Sequence, residues 1–199
     1  MSAMTAGADF EEFFRRHYED VVRYAVRRTP DGAEDIAAEA FAVAWRRWDE
    51  VPAAAGEARA YLFGIARRLI LAAHGDRARQ GALAVRLTDP TVFEESVPGL
   101  ESQAVALADL AAAWRLLRTQ HQEVLAMAFL DDLTSEQAGR VLGISAIAYR
   151  VRLARARAAL RVHLGHGPRR EAEGEAQRAS PRTSSMTIHP SVRPRSEPR

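Results

Sequence analysis

The 199-residue chain contains no cysteine and no lysine, and its 28 Lys+Arg positions are all arginine. The missing cysteine excludes a disulfide scaffold, a Cys-ligated zinc or iron–sulfur centre and any thiol chemistry. The missing lysine reads mainly as the codon usage of a GC-rich genome, although arginine is also the side chain best suited to phosphate and base contacts. No apolar run approaches the roughly 18–20 residues needed to span a bilayer, so no membrane insertion is expected. The first residues lack the basic and apolar stretches of a signal peptide, and a cytoplasmic location is the expectation. A Gly-rich phosphate loop and a nucleophile elbow are also missing. The adjacent acidic pairs Glu94-Glu95 and Asp131-Asp132 point in different directions and suit loops or caps. Of the scattered histidines, only His163 and His166 lie close together, near an expected helix end. No catalytic residue, metal site or cofactor is therefore expected.

What is present is helical. With 47% hydrophobic and 27% charged residues, the chain has material for one medium domain or two small ones. Phe10, Phe13, Phe14, Val21, Tyr24 and Ala25 share one face of a first helix. Thr29-Pro30-Asp31-Gly32 breaks it. A second helix, about residues 33–48, aligns Ala37, Phe41, Ala44 and Trp48. A third, about 57–78, buries Tyr61, Leu62, Ile65, Leu69 and Ala73. Pro90, Pro98 and Gly99 then stand among acids, the pattern of a flexible linker. Helical periodicity returns through Leu107, Leu110, Trp114 and Leu117 and continues to about residue 164. The remaining residues are rich in Pro, Arg and Ser with few large apolar side chains, and cannot offset their ordering entropy. The expected class is all-α. Two small helical domains, at 9–81 and 104–165, are joined by a flexible acidic linker at 82–103. Residues 1–8 and 166–199 are expected to be disordered.

The formal net charge of +2 conceals a strong partition. Residues 1–57 carry a net of −5, residues 58–81 a net of +4 and the linker a net of −3. Residues 150–161 hold Arg150, Arg152, Arg155, Arg157 and Arg161 without an acid. Two arginine clusters on separate helices suggest two contacts on one polyanion.

Leu133 through Ser145 carry the sharpest local pattern. Thr134 or Ser135 suits a helix cap, and Ala138-Gly139 permits close approach of another helix. Gly143 suits a left-handed helix end, and Ser145 caps the next helix. That helix repeats apolar residues at Tyr149, Leu153, Ala156 and Leu160. This is a helix-turn-helix, whose second helix enters the major groove of DNA. Its other face would offer Ser145, Arg150, Arg152, Arg155 and Arg157.

Taken together, Ala33-Glu34-Asp35 with Phe41 and Trp45-Arg46, the segment Tyr61-Leu62-Phe63-Gly64-Ile65-Ala66-Arg67, Gln122-Glu123-Val124-Leu125 and the run Leu142-Gly143-Ile144-Ser145 to Arg157 resemble one family. It is the extracytoplasmic-function group of sigma-70 factors of bacterial RNA polymerase. The resemblance implies promoter-directed initiation, with core RNA polymerase (the clamp and flap) and promoter DNA as partners and an anti-sigma protein as a possible regulator. It implies that Asp31, Asp35 and Glu39 dock on the polymerase clamp. Arg67, Arg68, Arg77 and Arg79 would face the −10 element. Ser145, Ala146, Ile147, Ala148, Arg150, Arg152 and Arg155 would read the −35 element. Trp45, Trp48, Tyr61 and Phe63 would pack or stack near melted DNA. The chain departs from the family at Arg68 and Ala72, where Asn and Asp are usual, and at Ala146-Ile147-Ala148, where polar residues are common. Readout at −35 should thus lean on Arg150, Arg152 and phosphate contacts, since apolar side chains cannot hydrogen-bond a base edge. The rival reading is a helix-turn-helix regulator acting without polymerase.

Overall fold

A computed structural model describes residues 3–74, 81–87 and 101–165, with side chains from residue 7 and, in the last stretch, from residue 105. Within them lie seven α-helices: α1 (Ala3–Val26), α2 (Ala33–Arg46), α3 (Ala55–His74), α4 (Glu101–Leu116), α5 (Thr119–Phe129), α6 (Ser135–Leu142) and α7 (Ala146–Gly165). A single 3-10 turn at Trp48–Glu50 follows α2. No strand occurs among the described residues, in keeping with the all-α expectation.

The first half is a three-helix unit in which α1, α2 and α3 each pack on the other two. An aromatic wedge builds its outer end. Phe10 meets Trp45 edge-on at 4.8 Å and Phe41 at 6.4 Å, while Phe13 meets Trp48 at 5.2 Å. Such edge-to-face pairs add about 0.5–1.5 kcal/mol beyond area burial. The α1–α2 corner turns at Gly32, whose φ of 78° is left-handed and ill suited to a side chain.

In the second half α7 packs on α4, α5 and α6. Thr134 and Gln137 form a reciprocal capping box at the start of α6. Gly143, at φ 68°, ends it. Gly139 faces the chain entering α7: a Cβ there would lie 2.8 Å from the Ile144 carbonyl oxygen. The small residue is therefore required for the tight turn.

Three differences from the sequence expectation have physical causes. Helix α1 begins at Ala3, inside the stretch expected to be disordered: no proline precedes Asp9, and the single Gly7 costs only about 1 kcal/mol within a helix. Helix α3 is buried almost all round, from Ala58 to Ile70, and Ala73 is exposed. A single apolar stripe was expected, but α3 packs against α1 and α2 on one side and α6 on the other. The first residues of the expected linker are packed. Leu83 and Val85 are buried, Arg86 N donates to Arg27 O at 2.8 Å, and Trp114 Nε1 donates to Val85 O at 2.6 Å. Alternating apolar side chains let this short extended segment lie along both halves. The Pro- and acid-rich stretch at 88–100 and the tail at 166–199 lie outside the described residues.

Candidate nucleic-acid interface

Helix α2 turns Ala33, Ala37, Ala40, Phe41 and Ala44 inward. The 3.6-residue period leaves Glu34, Asp35 and Glu39 exposed on the opposite face, with Asp31 exposed in the turn before it. No ion pair to these four acids occurs among the described residues. The result is a solvated anionic stripe able to meet a basic surface. Trp45 closes the same helix, 46% exposed despite its contact with Phe10.

The arginines expected at the −10 element part company. Arg68 is exposed, its Nε donating to Gly64 O one turn back at 3.0 Å. Arg67 is only 9% exposed. Its Nε donates to Glu123 Oε1 at 2.8 Å, its Nη2 to Glu123 Oε2 at 3.3 Å, and Nη2 also reaches the Gly81 carbonyl. The expectation of a DNA-facing Arg67 is thus corrected for this conformation. Arg67 is turned inward because α5 presents a carboxylate that is itself buried, and a buried guanidinium requires such a partner. Arg77 and Arg79 lie outside the described residues. Of the expected stacking aromatics, Phe63 is core, stacked on Tyr24 at 4.5 Å, and Trp48 is half-buried. Trp45 and the half-buried Tyr61 retain access to solvent.

Helix α7 gives the helix-turn-helix its outward face. Ser145 Oγ accepts the Ala148 amide at 3.1 Å, so this residue caps the helix as expected. Tyr149 and Ala156 anchor the inner face. The Tyr149 hydroxyl donates to Val124 O at 2.9 Å, and burial, seconded by the charge of Asp131, pushes its pKa up to about 12. Outward stand Ile147, 67% exposed, and Arg150, Arg152 and Arg155, with Ala146 and Ala148 half-buried between. Arg150 meets Glu136 at 3.4 Å across an exposed surface, a pair worth about 0.2–1 kcal/mol and readily exchanged for a phosphate. Arg157 lies over the Phe129 ring at 5.1 Å.

The two halves are joined by polar contacts that the sequence did not reveal. Asp131, wholly buried in the turn after α5, accepts from Arg27 Nη2 at 2.6 Å and Arg28 Nη2 at 2.5 Å. Arg59 donates to the Asp132 carbonyl at 2.9 Å, and Asp132 has the unusual φ of 47°. Glu57 receives Gln137 Nε2 at 3.2 Å and also bonds Arg140. The adjacent acids Asp131-Asp132 were the available signal, but their partners lie 73 to 104 positions away in the chain.

The described residues thus pair a helix-turn-helix bearing an arginine face with a helical unit bearing an acidic stripe. The family model for Sigma-70 region 2 matches residues 13–80, and that for Sigma-70, region 4 matches residues 107–160. The chain belongs to the sigma-70 family, in its extracytoplasmic-function group. The sigma factor SigL of this group from Mycobacterium tuberculosis is 29% identical over 168 residues, covering 82% of this chain and 93% of its own. The sigma factor RpoE of Bartonella quintana, solved with the anti-sigma factor NepR, shares the fold with a TM-score of 0.58 at 20% identity, over 79% of this chain and 97% of its own. CnrH, solved with the cytosolic domain of CnrY, gives a TM-score of 0.51 at 22% identity, over 82% of this chain and 94% of its own. The protein is a sigma factor that directs RNA polymerase to promoters. No helix among the described residues is long and apolar enough to cross a membrane.

Proposed function

We propose that this sigma factor docks on the polymerase clamp through Asp31, Asp35 and Glu39, meets the −10 element with Arg68 of α3 and with Arg77 and Arg79 after it, and reads the −35 element with α7. In this reading residues 9–81 form the polymerase-binding and −10 unit, 82–103 the connection, and 104–165 the −35 unit. The observation that carries it is the separation of charge on the surface: an unpaired acidic stripe on α2 and an acid-free arginine face on α7. Opposite signs on separate elements suit a basic protein surface and a phosphate backbone, respectively. At −35, Arg150 and Arg152 supply base or phosphate contacts while Ile147 reaches only a thymine methyl. Trp45 is placed to stack an unpaired base, an interaction worth about 1–3 kcal/mol. The factor works by binding, without chemistry of its own, wherever the cytoplasmic polymerase works. RpoE was solved with an anti-sigma factor, which supports control of this protein by a partner of that kind.

The test is run-off transcription by core polymerase reconstituted with this chain on selected genomic fragments. Asp35→Asn with Glu39→Gln should weaken capture of core polymerase while leaving binding of promoter DNA by the free protein intact. Arg150→Ala should do the reverse. DNA binding with no effect on initiation by any promoter would overturn the assignment of roles.

A further inference from the structure

The exposed arginines of α7 do not share one surrounding. Arg150 Nη1 donates to Glu136 Oε1 of α6 at 3.4 Å, across a surface where both side chains are more than half exposed. Arg152 and Arg155 are exposed as well, yet form no ion pair among the described residues. Fixed backbone frames the Glu136–Arg150 contact on both sides. The capping box of Thr134 and Gln137 sets the start of α6, and Gly139 lets the chain entering α7 pass at close range. Tyr149, buried and bonded to Val124 O, fixes the rotation of α7 at the residue before Arg150. Glu136 is thereby held beside the face offered to DNA.

An exposed pair of this kind contributes little to stability, but it sets the relative energy of the contacts open to Arg150. The planar guanidinium carries five N–H donors in a rigid fork. With Nη1 on Glu136, the Nε–Nη2 edge remains for the O6 and N7 acceptors of guanine, the bidentate contact through which arginine reads sequence. A phosphate would meet the same guanidinium only by bringing a full negative charge close to the Glu136 carboxylate, and the two repel. The guanine edge carries only partial charge and is penalised less. We propose that Glu136 is a specificity-determining positioning residue. It steers Arg150 away from the phosphate backbone and onto a guanine of the −35 element, while Arg152 and Arg155, which have no acidic partner among the described residues, take phosphates. The inference rests on the assignment of α7 to the −35 element.

The test is a base-substitution scan of the −35 element, on a promoter that the reconstituted holoenzyme transcribes. Arg150→Ala first identifies the position that Arg150 reads. At that position Glu136→Gln, which keeps the side-chain shape and removes its charge, should lower discrimination about two- to fivefold, the range set by the strength of an exposed ion pair. The salt dependence of promoter binding by the same holoenzyme should steepen by about 0.9 in the slope of log K against log salt, as Arg150 gains a phosphate. In the Arg150→Ala background, Glu136→Gln should alter discrimination at no position. Unaltered discrimination, an unaltered salt slope, or an equal loss at every position would overturn the steering role. A loss that persists without Arg150 would also overturn it, and would mean that Glu136 reads a base itself by accepting from cytosine N4. Should Arg150→Ala leave every position unaltered, the assignment of α7 to the −35 element fails and the steering role falls with it.

Discussion

Helices α3 and α7 are both twenty residues long, and both carry arginine. Their fates are opposite. Helix α3 is enclosed by α1, α2 and α6, and its Arg67 is buried against Glu123. Helix α7 buries only Tyr149 and Ala156, and its arginines project into solvent. The difference lies in what faces each helix. A guanidinium enters a protein interior only where a carboxylate meets it, since an unpaired buried charge is prohibitively costly. Helix α5 supplies that carboxylate to α3. Opposite α7 the nearest acid in contact is Glu136, itself exposed. Surface arginine is available to DNA, whereas buried arginine is available only after a rearrangement.

The largest blow to this contrast is Glu123→Ala, which strands Arg67. It should cost about 3–5 kcal/mol, read as a lowered urea midpoint. The paired change Arg67→Met with Glu123→Leu should recover most of that loss, because two apolar side chains of similar size replace both charges. A paired variant as weak as the single one would mean that packing, and not charge, holds the two halves together.

Gly139→Ala probes the geometry that presents α7. The added Cβ would meet backbone, the Ile144 carbonyl oxygen, at 2.8 Å. The expected cost is about 1–3 kcal/mol, with a loss of DNA affinity that Gly→Ala changes at open positions do not cause. Unaltered stability and affinity would show that the corner can relax.

Arg150→Ala should sharpen the contrast from the other side. Stability should change by less than about 0.5 kcal/mol, as for most surface substitutions. Discrimination within the −35 element should weaken by about 1–3 kcal/mol, measured by a base-substitution scan of the promoter. Lost stability with unaltered readout would place Arg150 with the structural arginines.

The smallest effect concerns pH. Burial lowers the pKa of His17 below its ordinary 6.5, with Asp20 opposing and Arg16 and Arg59 assisting. The folded chain therefore favours the neutral ring, while the unfolded chain takes up a proton near pH 6.5. Stability from this group is complete above that pH and declines as the pH falls through the folded value. Urea midpoints across pH 5 to 8 should show the decline, and His17→Gln should flatten it.

Helix periods, the corner at Gly32, the capping box at Thr134 and the exit at Gly143 were legible because each is a local rule: an apolar spacing, a cap or a left-handed residue. The acidic stripe of α2 and the arginine face of α7 were legible for the same reason, each being the remainder of a helix once its apolar stripe is turned inward. Arg67 was not. It sits at a position of α3 that is outward with respect to α1 and α2 but inward with respect to the second half, and nothing near it in the chain names Glu123. Leu83 and Val85 misled for a related reason: a short apolar alternation beside a Pro- and acid-rich stretch was read with that stretch as linker, yet Leu83 joins the core of the first half and Val85 that of the second.

By itself, then, the sequence determined an all-helical chain, most of the helix faces, a helix-turn-helix and the sign of charge along each segment. These depend on interactions within about one turn of the chain. Only the tertiary structure decided which charges are offered outward. That choice depends on pairings such as Arg67 with Glu123 and Arg28 with Asp131, set by how the two halves meet. A buried charge is stable only through its partner, and that partner can lie anywhere along the chain.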